Sequence, residues 1–101
     1  MIYILTSCTV VLGKEKDFEK TLIELMDIYK KNGATPIGFW WTIGGERNEA
    51  IWITSWKDIG SFEKGQTSVL EDENYPIDKV SSMVIAQTDK ILKPQTASPL
   101  K

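Results

Sequence analysis

The order of hydrophobic patterns along the chain predicts an α+β fold of the ferredoxin-like βαββαβ type, with a four-stranded antiparallel sheet. Three observations carry this. Ile2 to Val11 alternates apolar and polar residues and is rich in β-branched side chains. Lys14 to Lys31 then switches to a helical period. Next come two alternating stretches so close together that they must form a hairpin.

The first strand is expected over Ile2–Val11 and is broken by Gly13. In the first helix, Phe18, Leu22, Leu25 and Tyr29 recur at helical spacing, and Met26 and Ile28 widen the stripe. Glu15 and Asp17 near its start and Lys30 and Lys31 near its end complement the helix dipole. Asn32-Gly33 is a stop signal. The second strand is expected over Thr35–Ile43 and the third over Asn48–Trp56, joined by Gly44-Gly45-Glu46-Arg47. A weaker helix follows from Lys57 to about Glu71, with Ile59, Phe62, Gln66, Val69 and Leu70 on one face. Gly60 and Gly65 each cost it about 1 kcal/mol relative to alanine. Glu71–Lys79 reads as an acidic loop and Val80–Leu92 as the last strand. One domain over residues 1–92 is expected, with residues 93–101 as a flexible tail.

Both helices of such a fold lie on one face of the sheet, and the other face should then be polar. Here both sides of every strand read as apolar, with Ile37, Phe39 and Trp41 opposite Trp40, and Ala50, Trp52 and Trp56 opposite Ile51 and Ile53. The last strand is read the same way, with Met83 and Ile85 opposite Val84 and Ala86. The chain has no spare element to cover the second face. A homodimer with its sheets packed face to face is therefore expected.

The bulk composition narrows the function. In 101 residues the formal net charge is -2, with both signs interspersed, so the basic footprint of a nucleic-acid binder is missing. No apolar run reaches the roughly 20 residues of a membrane span. The apolar N-terminus lacks a basic leader and alternates like a strand, so no signal peptide is read and a cytoplasmic location is expected. The single Cys8 fits a reducing compartment. There is no histidine, which excludes a Ser-His-Asp triad, a Cys-His pair and histidine-held zinc or haem. Acid-base work falls to Asp, Glu, Tyr, Lys or Cys8. No cofactor and no metal site is expected. Glu71-Asp72-Glu73 with Asp78 lacks calcium-loop spacing and reads as a solvated loop, and Gly44-Gly45 lacks the residues of a phosphate loop.

"MIYIL", the "GK" and Phe18 that open the first helix, "GFWWTIG" and "NEAIWITSW" together resemble the NIPSNAP-type domain of the dimeric α/β barrel superfamily. The resemblance runs from about Ile2 to Leu92 and is strongest from Gly38 to Trp56. It implies two ferredoxin-like protomers forming a barrel with the helices outside. It also implies a pocket between sheet and helices for a small hydrophobic or aromatic compound. The family often carries a histidine and then a tryptophan where Trp52 and Thr54 stand, so chemistry through that histidine is closed to this chain.

All four tryptophans, Trp40, Trp41, Trp52 and Trp56, fall within the hairpin. The plainer reading makes them core and interface. The sharper one makes them a pocket wall, with Tyr3, Trp40, Trp41, Thr42, Trp52, Thr54 and Trp56 binding the ligand and Ser7, Asn48 and Gln87 as further polar groups. Trp40 and Trp41, being adjacent on a strand, must face opposite ways. By resemblance to cofactor-independent oxygenases of the superfamily, Asn48 would donate to a developing oxyanion and Glu49 or Asp89 would act as base. The plainer reading of Asn48 and Glu49 is turn chemistry, and of Cys8 a small buried hydrophobe. Two functions stand at this point. One is a homodimer that binds a small hydrophobic or aromatic metabolite, as a cofactor-independent oxygenase, an isomerase or a binder. The other is a non-catalytic dimerisation module working through protein contacts.

Overall fold

The computed structural model of the protein describes residues 1–44 and 48–100. Its elements are β1 (Ile2–Val10), α1 (Glu15–Lys31), β2 (Thr35–Trp41), β3 (Glu49–Trp56), α2 (Ile59–Glu71), α3 (Ile77–Met83) and β4 (Val84–Leu92). The sheet order is β2-β3-β1-β4, and every neighbouring pair is antiparallel. This is the expected ferredoxin-like α+β fold, with one helix more.

Alternation along β1 places Ile2, Ile4, Thr6, Cys8 and Val10 under the helices, all buried. In β3 the same face carries Ala50, Trp52, Thr54 and Trp56. α1 lays Phe18, Thr21, Leu22, Leu25 and Ile28 on them, a continuous stripe at helical spacing. The helix stops where Asn32 caps it, with its side chain donating to the Ile28 carbonyl at 2.9 Å. Gly33 at φ +101° then takes a left-handed conformation that glycine tolerates. α2 starts at Asp58, whose carboxylate accepts from the Ser61 N–H at 2.7 Å.

Several sequence expectations need correction. β2 ends at Trp41, not Ile43; Ile43 is fully exposed beyond it. The expected turn residues Gly45, Glu46 and Arg47 lie outside the described residues. The expected acidic loop and the start of the last strand contain α3 instead. Pro76 opens it, Asp78 sits in its first turn, and Met83 reaches the core. Seven residues are too few to show a helical period, and the β-branched Val80 reads equally well as strand. In α2 the expected inner face is narrower, for Ile59 and Leu70 are about half exposed while Val69 is buried.

The open face of the sheet is mixed rather than wholly apolar. It carries Leu5, Ile51, Ile53, Ile37 and Trp40, but also Ser7, Thr9, Glu49, Thr88 and Lys90. β4 is exposed along most of its length, and Met83 belongs to α3. The Trp40 indole lies across Gly38, where a Cβ would come within 2.6 Å of it. Residues 93–100 fold back over one end of this face, where Pro94, Ser98 and Leu100 line a groove with Tyr3, Ile37 and Ile53. Tyr3 is buried there, although it points away from the helices.

Trp56 is the largest fully buried side chain, and its ring fills the space beside Gly65 of α2. A Cβ on Gly65 would overlap that ring and lie 2.5 Å from the Asn32 carbonyl oxygen. Gly65→Ala should therefore destabilise the fold by about 1–3 kcal/mol despite its better helix propensity, which chemical denaturation will measure. An unchanged or raised midpoint would contradict the close approach.

Candidate functional site

The core is divided. One cluster holds Cys8, Val10, Phe18, Leu22, Trp52, Val69 and neighbours; the other holds Ile2, Ile4, Ala34 and Trp56. Tyr29 packs against both. At this seam the helix face of the sheet offers Thr6 and Thr54 instead of aliphatic residues, and α2 offers Gln66. The result is a cavity of about 100 Å³ between sheet and helices, lined by Phe18, Leu25, Tyr29, Trp52, Tyr75 and Gln87 among others. Thr6, Tyr29, Trp52 and Gln66 also line an adjoining lobe of about 10 Å³, with Thr54, Phe62 and Asp89. Leu70 and Gln87, both exposed, mark the solvent side.

Two hydrogen-bonded pairs make the polar end. The Tyr29 hydroxyl donates to Gln66 Oε1 at 2.9 Å. The Thr6 hydroxyl donates to Asp89 Oδ1 at 2.7 Å. In β-sheet register Thr6 lies opposite Asp89, so the second pair follows from strand pairing alone. Burial pushes the Tyr29 hydroxyl up to about 12, and the Tyr75 and Asp89 charges add to the effect while Gln66 opposes it. Burial also raises Tyr75. Both phenols therefore stay protonated at neutral pH. Burial, helped by the Glu49 charge, raises Cys8 to about 12. Cys8 is thus a buried thiol and no nucleophile.

Aromatic rings frame the seam on both sides. Phe18 meets Trp52 at 5.9 Å and Trp41 at 6.0 Å between centroids. Trp56 meets Phe62 at 5.5 Å and Tyr29 at 6.1 Å. Three of these four contacts are edge-to-face, and Phe18–Trp52 is tilted at 45°.

Of the residues expected to bind a ligand, Trp52 and Thr54 line the cavity. Trp56 lies deeper, with its indole N–H on Thr54 Oγ1 at 3.0 Å. Trp41 lies at the sheet edge and donates to Glu19 Oε1 at 3.0 Å. Thr42 closes the hairpin, with its hydroxyl on the Glu49 carbonyl at 3.3 Å. Tyr3 and Trp40 are on the far side of the sheet, so one pocket between sheet and helices cannot hold them together with Trp52. As expected for neighbours in a strand, Trp40 and Trp41 face opposite ways.

Among the three acid-base candidates, Asp89 reaches the cavity. Asn48 does not: it sits at φ +55° in the hairpin, its carbonyl accepts from Val10 N–H at 3.0 Å, and its side chain lies by Glu15. Glu49 is on the open face and accepts from the Ser7 hydroxyl at 2.7 Å. Of the further polar groups, Gln87 lines the cavity and Ser7 does not. Thr6, Tyr29, Gln66 and Tyr75 were not singled out by sequence reasoning. Tyr29 and Gln66 sat in helical stripes that read as plain core, and pairing Thr6 with Asp89 needs the strand register.

Three other hollows among the described residues are larger, the first a shallow one of about 420 Å³ beside Met1, Lys57, Ile59 and Lys93. The groove under residues 93–100 measures about 410 Å³ and is mainly apolar, but it presents few converging polar groups. A surface groove of about 340 Å³ between α1 and α3 is lined by Lys14, Asp17, Lys20, Glu24 and Lys79, and Lys79 pairs with Glu24 at 3.3 Å. Exposed ion pairs of this kind are worth little.

Comparison with known proteins agrees with the fold. A NIPSNAP family protein from Agrobacterium tumefaciens superimposes with a TM-score of 0.88 at 20% identity, over 99% of this chain and 98% of that one. An uncharacterised NIPSNAP domain protein from Burkholderia xenovorans gives 0.85 at 17%, over 98% and 99%. SnoaB, a cofactor-independent oxygenase from Streptomyces nogalater, gives 0.68 at 12%, over 97% and 96%. At these identities the likeness is one of fold. No protein of curated function matches the sequence. The NIPSNAP family pattern, however, matches residues 3–99, including most of the chain that follows β4. The chain belongs to the NIPSNAP family.

Proposed function

We propose that this NIPSNAP protein works as a homodimer that binds a small hydrophobic or aromatic metabolite in the cavity between sheet and helices. The observation that carries the reading is the polar seam. Two hydrogen-bonded pairs, Tyr29–Gln66 and Thr6–Asp89, stand among aromatic walls where aliphatic residues would fill the space. Burying polar groups costs free energy even when they are paired. A few converging polar groups on an apolar, aromatic lining are the ordinary form of a ligand site.

Size limits the ligand. Ligand pockets commonly span roughly 300–1,000 Å³, and an apolar cavity of roughly 150 Å³ holds benzene. The volume of about 100 Å³ is smaller than that, so a one-ring ligand would be held only in part and would protrude past Leu70 and Gln87. The chemistry that this polar end supports is proton transfer, with Asp89 accepting and the protonated Tyr29 donating. The similarity in fold to SnoaB, a cofactor-independent oxygenase, favours such a reaction without a bound group.

The homodimer reading rests on Leu5, Ile51, Ile53, Ile37 and Trp40, which remain on the open face of the sheet. A second copy packed sheet to sheet buries them. The cytoplasmic placement rests on the buried, unpaired Cys8. Among the described residues no helix is long and apolar enough to cross a membrane.

Titrating tryptophan fluorescence with one-ring aromatic compounds tests the binding reading. Saturable quenching is expected. Thr54→Leu should weaken it by about tenfold or more, equivalent to about 1.4 kcal/mol. An unresponsive wild-type protein, or a Thr54→Leu variant that binds unchanged, contradicts the site. Sedimentation equilibrium at micromolar concentration should give twice the chain mass, and Ile53→Glu should give monomers. A wild-type monomer contradicts the dimer.

The raised phenol and thiol set the alkaline limit. A group whose folded pKa exceeds its unfolded value contributes fully below the unfolded value and loses that contribution as pH rises through the folded one. Cys8 and Tyr29 have ordinary values of 9.0 and 10.0 and folded values of about 12. Thermal stability should therefore hold below pH 9 and fall progressively toward pH 12. A Cys8→Ala/Tyr29→Phe double variant should flatten that slope, and an equally steep fall in the variant contradicts the assignment.

A further inference from the structure

We infer that the cavity selects a small organic ammonium, a protonated amine on an apolar or one-ring body, with Asp89 as its counter-ion. The inference rests on the reading of the seam as a ligand site and names the class of ligand that the site takes.

The argument is one of charge inventory. Among the described residues, the lining of both lobes holds one carboxylate, Asp89, and no lysine or arginine. Three surface acids have cationic partners: Asp27 with Lys30 at 3.9 Å, Asp72 with Lys31 at 3.2 Å, and Glu24 with Lys79 at 3.3 Å; others, such as Glu19 and Glu49, make no ion pair among the described residues. Asp89 makes no ion pair among the described residues and accepts instead from the neutral Thr6 hydroxyl. Its neighbour in sequence, Lys90, sits opposite Leu5 and so lies on the other face of the sheet. The exposed Asp89 thus puts a negative charge outside any ion pair of the described residues at the edge of the smaller, aromatic-lined lobe.

An anionic ligand would meet that charge with nothing to offset it. Asp89 is exposed, so water screens the repulsion, but like charges brought together still repel. A carboxylic acid is thereby disfavoured. A neutral ligand gains hydrogen bonds alone. An ammonium gains the charge-assisted hydrogen bond to Asp89, which is shorter and about twice as strong as a neutral one. It also lies among the aromatic rings of Tyr29, Trp52 and Phe62, whose faces attract cations. The Asp89 charge already acts on this space, since it helps raise the Tyr29 hydroxyl.

A charge series on one skeleton tests the inference. Benzylamine, benzyl alcohol and benzoate differ mainly in charge at pH 7. Each is titrated against tryptophan fluorescence in the wild-type protein and in Asp89→Asn. The expected order is benzylamine tightest, by about tenfold or more over benzyl alcohol, with benzoate weakest. Asp89→Asn should remove the preference for benzylamine while benzyl alcohol still binds, which also shows that the variant keeps its cavity. If benzyl alcohol or benzoate matches benzylamine, or if Asp89→Asn keeps the preference, the charge selection is overturned and the ligand site stands. If none of the three gives a saturable response, the ligand site falls and the inference with it.

Discussion

The close approach of α2 to the sheet, made at Trp56 and Gly65, is the constraint on which the rest depends. Trp56 ends β3 fully buried, and its ring occupies the space that a side chain at Gly65 would need. Its indole N–H is satisfied inside the same strand by Thr54. Tyr29 of α1 and Phe62 of α2 meet the ring edge-on, so one side chain ties both long helices to the strand. α2 then has a fixed height above the sheet at Gly65, and Val69 one turn later enters the main core. Gln66, next to Gly65, is delivered to the Tyr29 hydroxyl as a consequence.

That geometry splits the core in two and leaves a seam between the parts. A fold that needed stability alone would close the seam with aliphatic side chains, each buried methylene contributing about 0.8 kcal/mol. This chain places two buried threonines and a partly buried glutamine there, with an exposed carboxylate at the edge. Their hydrogen bonds offset the burial cost without exceeding it by much, because a paired hydrogen bond is worth about 1 kcal/mol net. On the proposed reading these polar groups serve a ligand rather than the stability of the fold.

The sequence made the layers legible and the site only in part. Period-two alternation placed Cys8, Trp52 and Trp56 on their strand faces, and the stripe from Phe18 to Tyr29 marked the inner face of α1. Alternation also put Trp40 and Trp41 on opposite sides, but not which side carried the helices; that depends on how α1 and α2 return. α3 was hidden because Ile77–Met83 is shorter than two full helical periods. Gly65 read as a cost to its helix, since a long-range contact with Trp56 leaves no local mark. Tyr29 and Gln66 were invisible as site residues for a similar reason: in a helical stripe a tyrosine or glutamine at the seam looks like one in the core. Asp89 was legible as an acid on the last strand, and pairing with Thr6 gave it a place. Asn48 and Glu49 misled because hairpin residues with polar side chains serve turns as readily as chemistry.

The central claim is that ligand enters between sheet and helices, at Trp52, and not on the open face, at Trp40. Trp52→Phe and Trp40→Phe variants separate the two directly. Each is titrated with the same one-ring ligand while tryptophan emission is followed. The account predicts that Trp52→Phe abolishes most of the saturable change and that Trp40→Phe preserves it. A change that survives loss of Trp52 and disappears with Trp40 would contradict it, and would move the site to the far side of the sheet.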